Sequence, residues 1–556
     1  MMSDKERRDF EAGLSEEVDA WLRGDTSRRV FLTRALQFGG LGLLSGSMMS
    51  PSWAKAAVQL AQAQMADPST PLGQAQAAAL KASTEGPTDG SAYRAVQAAK
   101  AHKGITLNMT LENTPQELEP RNYSGPVWQD LTGIASNVIS MPHPDQYSKP
   151  IAEHFAGSGA YDILDIEPAW LPAMAEGGVI APIDDMLAKY ANPADQNDFH
   201  PLYRAMTTYK GKSWGFFDDG DVFQLYYRKD VFADQKLKDA YKAKFNQELR
   251  PPTTWDEYTQ VAQFITDQLA PNVYGAVHFR KFGAPGNQFS FLQQFRSNGG
   301  VFFDEATMRS QIASEAGMKT LEQMIAANKA SVPGNNEMDA VTAWVAWLQG
   351  KAAMIFSWPP TGRLSAGYPQ SEKALNFVPQ STIAGKVGYA VIPGKNGEHA
   401  SGYVKAISAD SPNPEAAYLF IQWATSPPVS LARTMLPYAL RDPYRLSHFT
   451  SPLYRALWPD AKEYLVGLNN AANNAVIDMI MPGWQDYALT LDRMCTAVWA
   501  GDDPKGALQK AAAEWDSATD KLGVDRQRDA YKEFKKLPGS YADNTIEKLG
   551  KAVTLE

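Results

Sequence analysis

The sequence predicts an α/β protein with the chain crossing between two packed bodies. Three observations predict it. The chain has 556 residues, 44% of them hydrophobic, which is ample for two or three packed bodies. Residues 159–187 read as an apolar run, a helix opened by Pro168 and a second apolar run. That strand–helix–strand order belongs to a sheet whose ligands bind at the carboxyl ends of its strands. In residues 211–232, GKSWGFFDDGDVFQLYYRKDVF, two apolar aromatic stretches flank the acidic break Asp218, Asp219, Gly220, Asp221. A polar break between two buried strands marks a chain crossing between packed bodies, and polar groups there face a cleft, where small ligands bind.

Composition narrows the function. A formal net charge of −9 leaves no basic excess to neutralise phosphates, which argues against a nucleic-acid partner. The 14 Trp, 23 Tyr and 23 Phe mostly build core, and the surplus allows stacking surfaces for flat or sugar-like ligands. A single cysteine, Cys495, excludes an intrachain disulfide and a Cys-built metal or iron–sulfur site; within LTLDRMCTAVW it is expected to be buried. Residues 1–56 read as a targeting segment: Arg28-Arg29 precede the weakly apolar, glycine-rich run 35–49, and Ser52-Trp53-Ala54 and Ala54-Lys55-Ala56 offer cleavage sites. The pattern resembles a twin-arginine export signal, and the run is too short and glycine-rich to span a membrane. The absence of a cysteine after it argues against a lipoprotein anchor.

The elements follow in order. Residues 57–100 form helix, loop (84–91) and helix. The alternating run 105–111 is a strand, followed by a loop through Glu112, Asn113 and Pro115. Helix 128–134, strand 137–141, helix 145–155 and buried strand 161–166 come next, and Gly177-Gly178 stop the helix begun at Pro168. Past the crossing, 233–249 is a charged helix, and Thr253 or Thr254 caps the helix that begins at Trp255. Residues 318–327 and 340–348 are helices, and strand 350–358 delivers Trp358 to the Pro359-Pro360 turn. Strand 402–408 and helix 414–423 lead to Ser426-Pro427, which ends the helix. Lobe one is placed at 101–217 with a return at 379–426, and lobe two at 218–378. Residues 427–525 are helices packing on both lobes, and the lysine-rich tail 526–556 is exposed helix and loop.

Three blocks carry a family resemblance: the crossing 211–232; GAYDILDIEPAWLPAMAEGGVIAPIDDML (159–187); and GYVKAISADSPNPEAAYLFIQWATSP (402–427). With PPTTWDEY (251–258) and Arg441-Asp442-Pro443, in that order, they resemble extracellular solute-binding protein family 1, the sugar-binding receptors of ABC importers. The resemblance spans about residues 100–525. It implies a two-lobed periplasmic-binding-protein fold with a hinge and a ligand cleft between lobes, and capture of a sugar or polyol for a membrane permease. A monomer in the periplasm, with no catalysis, no cofactor and no metal, is expected. The run KAKFNQELRPPTTWDEY resembles receptors associated with glycerol and other polyols.

Sugar and polyol sites join an aromatic platform to carboxylates and amides, because C–H faces stack on rings while hydroxyls donate to Asp or Glu. Trp358, at a strand end beside two prolines, is the preferred platform. Trp170 is either a second platform or core. Asp219 and Asp221 are either ligands or turn-forming residues of a solvated loop. Gly402, Tyr403 and Arg441 match positions near the second hinge, and Glu112 and Asn113 follow the first strand. DDGD resembles the start of a calcium loop, but the remaining ligands of such a loop are absent. Seven histidines, His143, His154 and His278 among them, show no metal-ligand spacing and are expected at the surface or satisfied in the core. The alternative is an exported glycoside hydrolase or lyase, since two carboxylates can come from anywhere in a fold. A redox enzyme or serine hydrolase lacks its G-x-G-x-x-G, cysteine-cluster or G-x-S-x-G signature.

Overall fold

The computed structural model describes residues 65–369, 372–394 and 397–555. Residues 1–56 with Arg28 and Arg29, read from the sequence as a targeting segment, lie outside the described residues. The chain divides into two compact units. The first holds the described residues up to Asn197, Thr207–Asp218 and Tyr403–Arg433; the second holds Asp198–Met206, Asp219–Gly402 and the chain from Thr434 onward.

The first unit is built on a six-stranded sheet. Thr106–Glu112 lies between Ala135–Met141 and Ile163–Ile166, parallel to both. Val404–Ser408 runs antiparallel to Ile163–Ile166, and the short strands Ile180–Ala181 and Gly215–Phe217 also pair with it. The reason for a glycine at 215 is close approach: a Cβ there would sit 2.3 Å from the Lys405 carbonyl oxygen. Helix Leu171–Glu176 stops at Gly177, followed by Gly178 at φ +72°, as the sequence led us to expect. Helices Pro71–Thr84 and Ser91–Ala99 pack on Pro414–Thr425, whose residues from Ala416 to Thr425 are all buried. Trp423 Nε1 donates to Ser83 Oγ at 2.9 Å and Gln422 Nε2 to the Ser91 carbonyl at 3.0 Å.

The second unit holds a four-stranded sheet ordered Val387–Ala390, Gln224–Arg228, Ala352–Ser357, Tyr274–Ala276. The first three are antiparallel neighbours and the last pair is parallel. Because Tyr389 pairs with Tyr226, residues 379–402 belong to this unit. The return to the first unit therefore starts at Tyr403, later than residue 379, and Asp218 ends the first unit's share of the crossing. Thr254, rather than Thr253, caps Trp255–Leu269 by accepting the Glu257 N–H at 3.1 Å. Glu257 reaches back to the Thr253 N–H at 2.8 Å.

The carboxyl-terminal helices Trp484–Trp499, Pro504–Leu522 and Val524–Lys535 complete the second unit. The tail departs from its expected exposure: Tyr531, Phe534 and Ile546 are buried, and Tyr531 meets the Phe303 ring edge-on at 5.4 Å. Its lysines occupy one face, while Ala530, Tyr531 and Phe534 form an inward stripe at helical spacing. Cys495 is buried, and burial pushes its thiol up to about 12. Among the described residues no helix is long and apolar enough to cross a membrane.

Candidate functional site

In the first unit, the three parallel strands end along one edge of the sheet and bring the residues after them together. Glu112 closes its strand half-buried and accepts the Tyr403 hydroxyl at 2.9 Å. His143 opens helix His143–Ala156 after the second strand, and its Nε2 lies 2.7 Å from Oε1 of Glu167, which follows the third strand. The imidazole centroid is 5.1 Å from the Trp170 ring, and Tyr147 meets the same ring at 5.6 Å. Trp170 itself is 1% exposed, so of its two readings the structure favours core, packed against His143. Asn113 is exposed, and its N–H donates to the Met141 carbonyl at 2.7 Å.

Burial opposes a charge on His143, but Glu167 and Glu112 outweigh it and raise the imidazole to about 9. Burial also raises Glu112, with Glu167 and Asp165 adding repulsion against His143 and the Tyr403 hydrogen bond. His143 and Glu167 were not among the sequence candidates. The signal for them is positional: each is the first or second residue past the end of a strand in this sheet.

Asp218, the last residue of the first unit before the crossing, is fully buried. It accepts from Arg433 Nη1 at 2.5 Å and Nη2 at 3.1 Å, and Arg433 also pairs with buried Glu119 at 2.7 Å. Lys405 Nζ lies 2.8 Å from Asp165 and 3.8 Å from Asp218. Two cations and three carboxylates thus tie the strands to the helix at 427–435, an arrangement that fixes geometry more than it adds stability.

In the second unit, Asp219, Gly220 and Asp221 meet the segment Arg441-Asp442-Pro443. Asp219 Oδ1 accepts the Asp442 N–H at 2.9 Å, and the Gly220 N–H donates to the Asp442 carbonyl at 3.1 Å. A Cβ at 220 would stand 2.0 Å from the Pro443 carbonyl oxygen, so only glycine fits. Arg441 Nη1 lies 3.8 Å from Asp219, and Arg363 Nη1 donates to Asp442 Oδ1 at 2.6 Å. Carboxylate oxygens of Asp219, Asp221 and Asp442 come within 4.8 Å of one another, a grouping able to hold a cation that was not expected from sequence; Arg363 and Arg441 already bring two positive charges to it. Burial and the neighbouring carboxylates push Asp221 well above the usual range, and burial raises Asp442 despite Arg363; the two share a hydrogen bond. Asp219 and Arg441 are buried and Asp221 is half-buried, so the acidic segment is not a solvated loop.

Trp358 follows the wholly buried strand Ala352–Ser357 and stays half-buried. Its ring stacks on Phe279 at 4.6 Å and 17°, and meets Phe223 at 5.1 Å and Phe289 at 5.9 Å edge-on. Its carbonyl accepts the Tyr226 hydroxyl at 3.3 Å. Buried Gly402, at φ +112°, ends the second unit's segment Asp219–Gly402, and buried Tyr403 opens the first unit's segment Tyr403–Arg433. The arrangement therefore supplies, in the first unit, a carboxylate–imidazole–phenol cluster and, in the second, an aromatic box and a carboxylate–guanidinium cluster. These are groups that bind hydroxyls and C–H faces.

Residues 119–430, more than half of the chain, match the bacterial extracellular solute-binding protein family, and the chain belongs to that family. It is 24% identical over 408 residues to an erythritol/L-threitol-binding protein of Mycolicibacterium smegmatis, covering 69% of this chain and 80% of that one. It is 24% identical over 358 residues to a probable amino-acid ABC transporter periplasmic-binding protein of Sinorhizobium fredii, covering 61% and 72%. The fold is similar to an ABC transporter solute-binding protein from Agrobacterium radiobacter K84 in complex with ribitol, with TM-score 0.61, 24% identity and coverage of 74% of this chain and 98% of that one. A solute-binding protein from Agrobacterium vitis S4 with bound D-mannitol gives TM-score 0.62, 23% identity and coverage of 76% and 99%. The architecture is thus the two-lobed α/β fold of solute-binding proteins.

Proposed function

We propose that this chain is the periplasmic receptor of an ABC importer, that it captures a sugar or polyol by hinge closure, and that it hands the ligand to membrane permease subunits. The observation that carries this reading is the set of hydroxyl-binding groups at the first unit's strand ends, in a chain of this family, together with the part-exposed Trp358 in the second unit. The relative named for erythritol and L-threitol, and the similar folds seen with ribitol and D-mannitol, support a polyol among the candidate solutes. Glu112, Tyr403, Asp219, Asp221, Trp358, Gly402 and Arg441 form the proposed ligand-binding set; the role is not catalytic, and the protein acts as a monomer. Closure follows from differential affinity, since a ligand that contacts more groups in the closed state shifts the population toward it.

A thermal-shift screen of glycerol, erythritol, ribitol, D-mannitol, maltose, amino acids and phosphodiesters tests the reading. A ligand at a hundred times its Kd stabilises by about 2.7 kcal/mol. Stabilisation by amino acids alone would overturn the polyol reading, and turnover of a glycoside panel would support a hydrolase instead. Export by the twin-arginine route is tested by replacing Arg28 and Arg29 together with Lys, which should hold the precursor in the cytoplasm. Undiminished periplasmic recovery would reject that route.

A further inference from the structure

We propose that Arg280, inside the second unit, binds a small inorganic anion of the size of chloride on its two terminal nitrogens. Arg280 is 1% exposed and stands outside the proposed ligand-binding set, so the assignment holds whatever solute the receptor captures.

The chain leaves strand Tyr274–Ala276 as Val277-His278-Phe279-Arg280. Phe279 goes to the Trp358 ring, whereas His278 meets the Tyr258 ring at 5.9 Å and the Arg280 guanidinium lies 5.7 Å from the centre of the Trp499 ring. Arg280 Nε donates to Asn328 Oδ1 at 3.1 Å, but Nη1 and Nη2, both buried, have no hydrogen-bond partner. Among the described residues no carboxylate oxygen comes within 4.0 Å of this guanidinium. The other buried arginines differ. Arg228, Arg363, Arg433, Arg441 and Arg445 each have a carboxylate oxygen at 2.5 to 3.8 Å. Arg296 donates to the Ile477 carbonyl and has Asp478 as its countercharge. Asp492, on the same helix as Cys495, is engaged elsewhere: its two oxygens accept from the Gly283 N–H and from Asn287 Nδ2, both at 2.8 Å.

A charge taken out of water needs a countercharge or must lose its proton, and a guanidinium keeps its proton at neutral pH. Burial lowers Arg280 only to about 10, and the groups that favour its charge are the Cys495 thiol and the Tyr258 hydroxyl, both neutral at that pH or below. The neighbouring histidine adds a donor rather than an acceptor. Burial, with Arg280 nearby, holds His278 neutral, well below 6.5. With the Tyr258 hydroxyl donating to Nε2 at 3.4 Å, the ring's proton sits on Nδ1, another buried atom without a partner. Water can accept these N–H bonds but leaves the positive charge uncompensated, whereas an anion answers both needs. The anion must be small, because Arg280 is enclosed and the half-buried Trp499 covers it. Bound there, it pins the segment carrying Phe279, the ring on which Trp358 stacks.

The experiment is thermal unfolding of the full chain in sodium methanesulfonate, whose anion is too bulky for the site, against sodium chloride and sodium bromide at one ionic strength. Chloride should raise the wild-type melting temperature saturably, by about 2–4 °C at a concentration about tenfold above its Kd, and bromide should do the same. Arg280→Met removes the charge and keeps a long apolar side chain, so it should melt at the same temperature in all three salts. Where that variant does not fold, a bromide-soaked crystal of the wild type decides, and an anomalous peak beside Nη1 and Nη2 supports the site. Three results would overturn the assignment. They are equal wild-type melting temperatures in methanesulfonate and chloride, a chloride shift that survives in Arg280→Met, and a bromide crystal with no peak at Arg280.

Discussion

Replacing Trp358 by alanine separates a binding platform from a core residue. The ring stacks on Phe279 and touches Phe223 and Phe289 edge-on, three contacts worth roughly 0.5–1.5 kcal/mol each beyond area burial. A fully buried Trp→Ala costs ~3–5 kcal/mol. Trp358 is only half-buried, so its stability loss should fall at or below the low end of that range, about 3 kcal/mol. The exposed part of the ring should cost a further ~1–3 kcal/mol of polyol affinity, roughly 5- to 150-fold in Kd. Trp170→Ala serves as the contrast: at 1% exposure it should lose ~3–5 kcal/mol of stability with little change in affinity among molecules that remain folded. The assay is urea denaturation of both empty variants, with calorimetric affinity for ribitol measured on the folded fraction. If Trp358→Ala loses as much stability as Trp170→Ala and binds ribitol like wild type, the ring is core and the platform lies elsewhere.

Three further outcomes are expected. Asp218→Asn strips the carboxylate from Arg433 in a dry network and should destabilise by about 3–5 kcal/mol; a loss under 1 kcal/mol in denaturation would show that Glu119 suffices for Arg433. Asp221→Asn keeps a neutral hydrogen-bonding group beside Asp442, so stability should hold while polyol affinity drops by about 0.5–1.5 kcal/mol; unchanged affinity would remove Asp221 from the site. Glu398 is buried, and burial raises its carboxyl from 4.5 to about 8, so the folded state keeps a proton that the unfolded chain releases. That contribution is fully present below pH 4.5 and is lost as pH rises toward 8, on the order of a few kcal/mol. Glu398→Gln should accordingly flatten the fall in stability between pH 5 and 8.5, and an identical slope in both proteins would contradict the burial argument.

Local chemistry alone determined much of this protein. The period-2 run before Glu112, the glycine pair at 177–178, the Thr-capped helix at Trp255 and the acidic break at 218–221 all act within a few residues, so their outcome is legible in order. Burial of Cys495 follows from its apolar neighbours in the same way. Tertiary structure decided whatever depends on which distant segment arrives. Tyr389 pairs with Tyr226 across more than a hundred and fifty residues, and that register, invisible in either segment, assigns residues 379–402 to the second unit. The break at 218–221 is legible as polar, but not as buried, because its counter-charges Arg433 and Arg441 come from far along the chain. His143 reads as an unremarkable histidine until the sheet sets Glu167 beside it and Glu112 near it, since a pairwise electrostatic interaction exists only once folding has fixed the distance.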